Sequence, residues 1–361
     1  MSDAEDRALA FVRSRAERAR DRQRATLSAL LDRAGPCDEA TLSAALRRRA
    51  RVALSFHPDR PLADGSTVAE RLLREGRYRG QFETGISSGS RTAFPGGDRQ
   101  RWESKLFGNA YDQGASSDER PKYGALDLFH HADGPSPRFG SCRLVLRDHL
   151  LDRATLTWGD SHLDPEHVGT MEVIAPLLFA LLSAVETKRE ALGRTDLDLP
   201  TIARQILTPP SSLPLAAHPL GRALDDYIEV QIHAPIALAE DVASLVIDPA
   251  FDGTPTGEAL DRLAQRYALP LERHPGFVLD SREIHGDFRG PRMPALAERL
   301  DQNFASIPGR LDAAVIGRAA CSLHDHPDHW TDWDIPEETL QHLKQLWHVL
   351  VRFGRARLDG P

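Results

Sequence analysis

Apolar and polar positions divide the chain into a helical opening, a strand-rich middle and a helical end. Residues 4–33 carry Ala, Leu and Arg with no Pro or Gly, which predicts one long helix. AGPCDEA turns the chain, and Asp38 caps a second helix running to about Arg49. RVALSF (51–56) reads as a strand, and TVAERLLREG as a short helix stopped by Gly76. Residues 84–101, rich in Gly, Ser and Arg, read as a long ordered loop of the kind that carries function. YGALDLF, SCRLVLRD and RATLTWGDS are further strand candidates, and residues 165–209 are predicted helical. Within them the apolar run Val173–Val185, interrupted by Pro176, is too short to span a bilayer and predicts a buried helix.

The second half repeats the change of texture. YIEVQIH alternates like a half-buried strand, which puts Glu229, Gln231 and His233 on one face and Ile228, Val230 and Ile232 on the other. LAEDVASL reads as a helical turn, LVID as a strand, and GEALDRLAQRYALPLERHPGFVLD as a helix followed by a strand. From about residue 285 helices with Pro-rich connections return. The last has Asp334 as its cap, Pro336 early, Glu337 three residues after the cap and Gly354 at its end. Leu340, Leu343, Leu346, Trp347 and Leu350 follow helical spacing, so Trp347 belongs to the core. The pattern predicts an α+β core over residues 51–283, with helical extensions 1–50 and 284–361 packed on it.

Composition narrows the function only modestly. The 41% hydrophobic content suits a packed core, and the net charge of −8 gives no global signal for a polyanion. Cys37, Cys142 and Cys321 are far apart and odd in number, which argues against a disulfide framework and for a reducing compartment. The acidic start MSDAEDRALAF has no apolar stretch of the kind a signal peptide needs. The expectation is a cytoplasmic protein without a membrane. No metal is expected: there is no Cys-x-x-Cys pair, and His324, His326 and His329 in HDHPDHW read as a surface turn. Arg47, Arg48, Arg49 and Arg51 read as a solvated helix end, with a phosphate patch as the sharper alternative. Rossmann, P-loop, nucleophile-elbow and His-Glu-x-x-His patterns are absent from the sequence.

Candidate chemistry centres on ALSFHPDRP, residues 53–61. His57-Pro58-Asp59 is the loop signature of J-domain co-chaperones, which would make the chain a binding or scaffolding module. Against that stand the strand character of RVALSF and Arg60 in place of the usual Lys.

Two resemblances point elsewhere. GRYRGQFETGISSGSRTAFPGGDRQRWESKLFGNAY, with RPKYGALDL and RFGS, resembles a bacterial family catalogued as a domain of unknown function, over most of residues 45–355. The order of elements resembles the ADP-ribosyltransferase fold, especially its DarT-like DNA-modifying branch. That resemblance implies a split-sheet architecture, NAD as co-substrate, and a nucleic acid or protein as acceptor. It implies NAD contacts from His57 and Arg60 at the end of the first strand, Tyr123 against nicotinamide, and Ser141 as the nearest match to a serine-bearing strand. It also implies Glu229 as the catalytic carboxylate, with Gln231 orienting the acceptor or ribose.

The chemistry requires such residues. Breaking the nicotinamide–ribose bond builds positive charge on the ribose, which a buried carboxylate stabilises. The diphosphate needs donors, for which Arg60, Arg79 and the loop around residues 85–97 are candidates. The strands holding His57 and Glu229 are expected side by side across one cleft. The sequence departs from the arginine-specific toxins in having Glu229-Val230-Gln231 where they have Glu-x-Glu. A transferase fold that binds a nucleotide without turnover is the remaining alternative.

Overall fold

A computed structural model describes residues 2–85, 93–112, 114–208 and 224–357. In chain order the elements begin with α1 (Asp3–Ala34), α2 (Glu39–Arg49), β1 (Arg51–Phe56), α3 (Val68–Glu75), β2 (Arg77–Tyr78), α4 (Gln81–Thr84) and α5 (Asp98–Phe107). Then come β3 (Lys122–Asp127), β4 (Cys142–Leu146), β5 (Ala154–Trp158), β6 (Val168–Thr170), α6 (Ala175–Lys188) and α7 (Leu199–Leu207). The second half holds β7 (Ile228–Ile232), β8 (Ile236–Ala237), α8 (Leu238–Asp241), β9 (Val242–Ile247), α9 (Pro255–Arg266) and β10 (Leu271–Arg273). Last are β11 (Leu279–Asp280), α10 (Met293–Phe304), β12 (Arg310–Leu311), α11 (Ala313–Asp325) and α12 (Pro336–Phe353).

The fold is α+β, as expected. Eight strands form one sheet in the order β10-β9-β4-β1-β3-β7-β5-β6. The β9–β10 pair is parallel, and the other neighbours are antiparallel. Cross-strand partners point to the same face of a sheet. Tyr123, Gln231 and Thr155 therefore lie in one row, and Ala125, Glu229 and Thr157 in the next. The opposite face carries Leu54, Leu126, Val230 and Leu156, all fully buried in the main hydrophobic core. One side of the sheet is thus apolar and the other presents a polar band.

Local chemistry sets the helix starts. Ser2 with Glu5 and Thr67 with Glu70 form capping boxes, and Asp38 accepts from the Thr41 amide at 2.7 Å. The core runs without a break from Leu27 on α1 to Val351 on α12, so both helical extensions share it with the sheet. The run from Val173 becomes α6, with Pro176 in its first turn. No helix among the described residues is long and apolar enough to cross a membrane.

Four sequence expectations need correction. The strand β9 begins at Val242, so only Leu238–Asp241 of LAEDVASL is helical. Pairing of Ser244 with Val145 and of Val242 with Leu146 outweighs local propensity there. Within the predicted helical region 165–209, Val168–Thr170 instead pairs with β5 at the sheet edge. The last helix is capped at Ile335, one residue after Asp334. Pro336 occupies the first helical position and holds Ile335 extended, while Asp334 pairs with Arg292 at 2.8 Å. Finally, α4 and α5 take the two ends of the predicted loop 84–101, and residues 86–92 lie outside the described residues.

Candidate functional site

A cavity of 820 Å³ opens over the polar band. Its walls come from the end of β1, the α3–β2 segment, α5, β3, β7 and the helices α11 and α12. His57, Arg60, Arg79, Tyr123 and Glu229 all line it. Gln231 and Ser141 do not. Gln231 is fully buried behind Glu229 and donates from Nε2 to its Oε1 at 2.8 Å. Ser141 Oγ lies 3.5 Å from Nδ1 of His57. The strands of His57 and Glu229 are not neighbours, because β3 runs between them. They share the cavity because β1, β3 and β7 are adjacent in that order.

Glu229 is 5% exposed. Burial first, and then the negative charge of Asp160, push its carboxyl up to about 7, against the pull of Ser161, Arg99 and Gln231. Asp160, missed by sequence reasoning, lines the same cavity and is held below the usual carboxylate range. Burial raises it, but His162 Nδ1 at 2.6 Å and the Tyr227 hydroxyl at 2.9 Å outweigh burial. Two carboxyls in one cavity are thus driven apart, a pattern that separates acid and base roles. The one signal for Asp160 was its place after Gly159 in TWGD, where a left-handed glycine (φ +84) ends a strand.

His57 follows β1 directly, with its ring edge-on to Trp347 at 5.0 Å. Burial, then Arg60 and His348, keep its pKa well below the usual histidine value, so the imidazole is neutral at pH 7. Pro58 and Asp59 are buried. The Asp59 carboxylate packs against Gly317 on α11, where an added Cβ would fall 1.4 Å from Oδ2. A J-type motif needs an exposed loop between two helices. Residues 39–75 instead form helix, strand, turn and helix, with the motif gripped by α11 and α12.

Arginines dominate the remaining polar wall: Arg60, Arg71, Arg77, Arg79 and Arg99. Arg79 is held by Glu75 in a bidentate pair at 2.6 and 2.9 Å, and Arg77 pairs with Glu83 at 2.8 Å. Among the described residues Arg60 and Arg99 have no such clamp. Arg99 lies 4.5 Å over the Tyr123 ring, whose hydroxyl donates to Glu103 at 2.9 Å. His324 reaches the cavity, whereas His326 and His329 stack on each other at 5.1 Å. Among the described residues no group of three or more His, Cys, Asp or Glu is placed to hold a metal ion.

Gly140 explains the RFGS stretch. A Cβ there would fall 2.3 Å from the Phe56 amide nitrogen and 2.4 Å from its carbonyl, which are backbone atoms that cannot yield cheaply. Glycine lets this turn touch the end of β1, next to His57. Gly140→Ala is expected to cost about 1–3 kcal/mol of stability through overpacking, read as a lowered midpoint in denaturant unfolding.

Sheet and cavity together define an α+β protein with a cationic cavity closed over a buried carboxylate. A family model described as protein of unknown function DUF3626 matches residues 51–353, and the chain belongs to that family. The match starts at β1 and runs through α12, so it includes the helices that close the cavity. The chain is also 33% identical over 103 residues to the "Gene 2 protein" of Mycobacterium phage D29, covering 27% of this chain and 34% of the phage protein.

Proposed function

We propose that this protein transfers ADP-ribose from NAD to a macromolecular acceptor, either a nucleic acid or a protein. One observation carries the reading. His57, Tyr123 and Glu229, which the resemblance to ADP-ribosyltransferases assigns to cofactor contact and catalysis, line one cavity together with five arginines. In the reaction the nicotinamide–ribose C–N bond breaks and its electron pair leaves on nicotinamide. Ionised Glu229 stabilises the ribosyl cation, and the acceptor nucleophile then bonds to the anomeric carbon. The acceptor's proton passes to Glu229, whose pKa near neutrality suits it to accept and release one. Arg60 and Arg79 hold the diphosphate, the latter with donors left over from its pair with Glu75. Neutral His57 bonds a hydroxyl of the cofactor without adding charge.

The test is incubation with NAD labelled in its adenylate half, with DNA, RNA or protein extract as acceptor. Released nicotinamide and transferred label are counted from pH 5 to 9. Only the ionised carboxylate supports the cation, so turnover should rise with pH through about 7, where Glu229 loses its proton. Saturable NAD binding without nicotinamide release would select a nucleotide-binding site without turnover. Absence of NAD binding would remove both readings.

A further inference from the structure

The stretch Phe107-Gly108-Asn109-Ala110-Tyr111 begins on the last residue of α5 and has no part in the cavity wall. Gly108 and Asn109 both have φ near +63, which turns the chain so that Tyr111, 2% exposed, re-enters the interior. Its hydroxyl lies 2.6 Å from Nδ1 of His233. Nε2 of His233 lies 2.8 Å from Thr155 Oγ1, which lies 2.7 Å from Gln231 Oε1. Gln231 Nε2 then reaches Glu229 Oε1 at 2.8 Å. His233, Thr155 and Gln231 have no solvent exposure at all. The His233 plane is fixed between Tyr111, parallel to it at 6.0 Å, and Phe107, edge-on at 5.0 Å.

Counting protons gives this chain one direction. An amide oxygen only accepts, so Thr155 donates its single proton to Gln231. Thr155 must then accept from His233, which puts the ring proton on Nε2. The bare Nδ1 accepts from Tyr111. Every donor points along the same path, and the path ends on the carboxylate.

We propose that Tyr111, His233, Thr155 and Gln231 form a buried, one-way hydrogen-bond chain that positions Glu229 and favours its ionised form. All four are positioning residues. Their meaning for turnover rests on the transferase reading, whereas their effect on the carboxyl does not. The neighbouring charges are few. Asp160 after β5 and Arg99 on α5 face Glu229, and Lys122 on β3 faces His233. Glu5 on α1, Glu103 on α5, and Glu119 and Arg120 before β3 surround Tyr111. Burial, with Lys122 adding to it, pushes the His233 pKa down to about 3, which keeps the ring neutral as the proton count requires.

The experiment follows the Glu229 carboxyl by ¹³C NMR in the full chain without NAD, its signal assigned by absence from Glu229→Gln. Removing the last donor in Gln231→Leu should raise the titration midpoint by about one unit or more, since a hydrogen bond to a charged group is lost. Thr155→Val should raise it by less and Tyr111→Phe by less again, because polarisation weakens along a chain. Thr155→Ser should restore the wild-type midpoint. ¹⁵N shifts should place the His233 proton on Nε2 in the wild type and keep it there in Tyr111→Phe, because Thr155 fixes it from the other side. Unmoved midpoints in folded Thr155→Val and Tyr111→Phe would overturn the proposal. Tyr111→Phe removes one oxygen at the far end, which keeps the test open if Thr155→Val does not fold. Shifted midpoints in a protein that releases no nicotinamide would leave the chain standing and remove the transferase reading.

Discussion

On the proposed transferase reading, Glu229→Gln should lower nicotinamide release on the order of 100-fold or more while NAD binding survives. The magnitude is that of removing one preorganised electrostatic stabiliser from a buried site. Glutamine keeps the shape of glutamate and loses its charge. The same variant should be more stable than the wild type at high pH. The Glu229 carboxyl is raised to about 7 in the fold, above its ordinary 4.5, so the native state binds the proton more tightly than the unfolded chain. That contribution to stability is complete below pH 4.5 and is lost as pH rises through 7. A glutamine has nothing to lose, so the two proteins should match at pH 4 and diverge by pH 8. Equal turnover by wild type and variant, in an assay where the wild type is active, would mean that Glu229 has no catalytic role.

Arg120→Ala should cost roughly 3–5 kcal/mol, the usual result of stripping one partner from a buried ion pair. Arg120 donates to Glu103 at 2.5 Å, to the Tyr111 carbonyl at 3.2 Å, and lies 4.1 Å over the Phe82 ring. The two side chains are 9% and 1% exposed. Burial already raises the Glu103 carboxyl with Arg120 beside it. Without the guanidinium, among the described residues the carboxylate keeps the Tyr123 hydroxyl at 2.9 Å and the charge of Arg99, which makes no ion pair with it. Adding Glu103→Gln should recover part of the loss, because the stranded charge goes with it. Denaturant unfolding of the single and double variants measures both effects. A single variant within about 0.5 kcal/mol of the wild type, the level of an ordinary surface change, would refute the account.

The parts of the site legible in the sequence were those carried by local pattern. Alternation in YIEVQIH put Glu229 and Gln231 on one face, and the texture of RVALSF ended a strand at His57. The polar face was read as a site in which both carboxyl and amide point at a ligand. Gln231 instead turns toward its own neighbour, since Thr155 and Thr157 across the pair bond its amide. Sequence order does not reveal spatial order, so the insertion of β3 between β1 and β7 was hidden. Asp160 and Arg99 were hidden for a related reason. Asp160 lies just past β5, Arg99 sits in the first turn of α5 within a stretch whose pattern read as loop, and each joins Glu229 only through sheet pairing and the return of α5. The part played by the C-terminal helices was equally out of reach, because amphipathic spacing tells which face of α12 is buried and not what it is buried against.

Those helices have a consequence for how the protein responds to whatever fills its cavity. Trp347 rests on His57 and donates to the Pro137 carbonyl at 3.0 Å, and Gly317 rests on Asp59. Leu323 and Leu340 face the same space as Glu229. An occupant touching both walls ties the last two helices to the sheet, so occupancy and the seating of the chain's end are a single linked equilibrium. Thermodynamic reciprocity then makes anything that loosens α12 a competitor of the occupant, although it never enters the cavity.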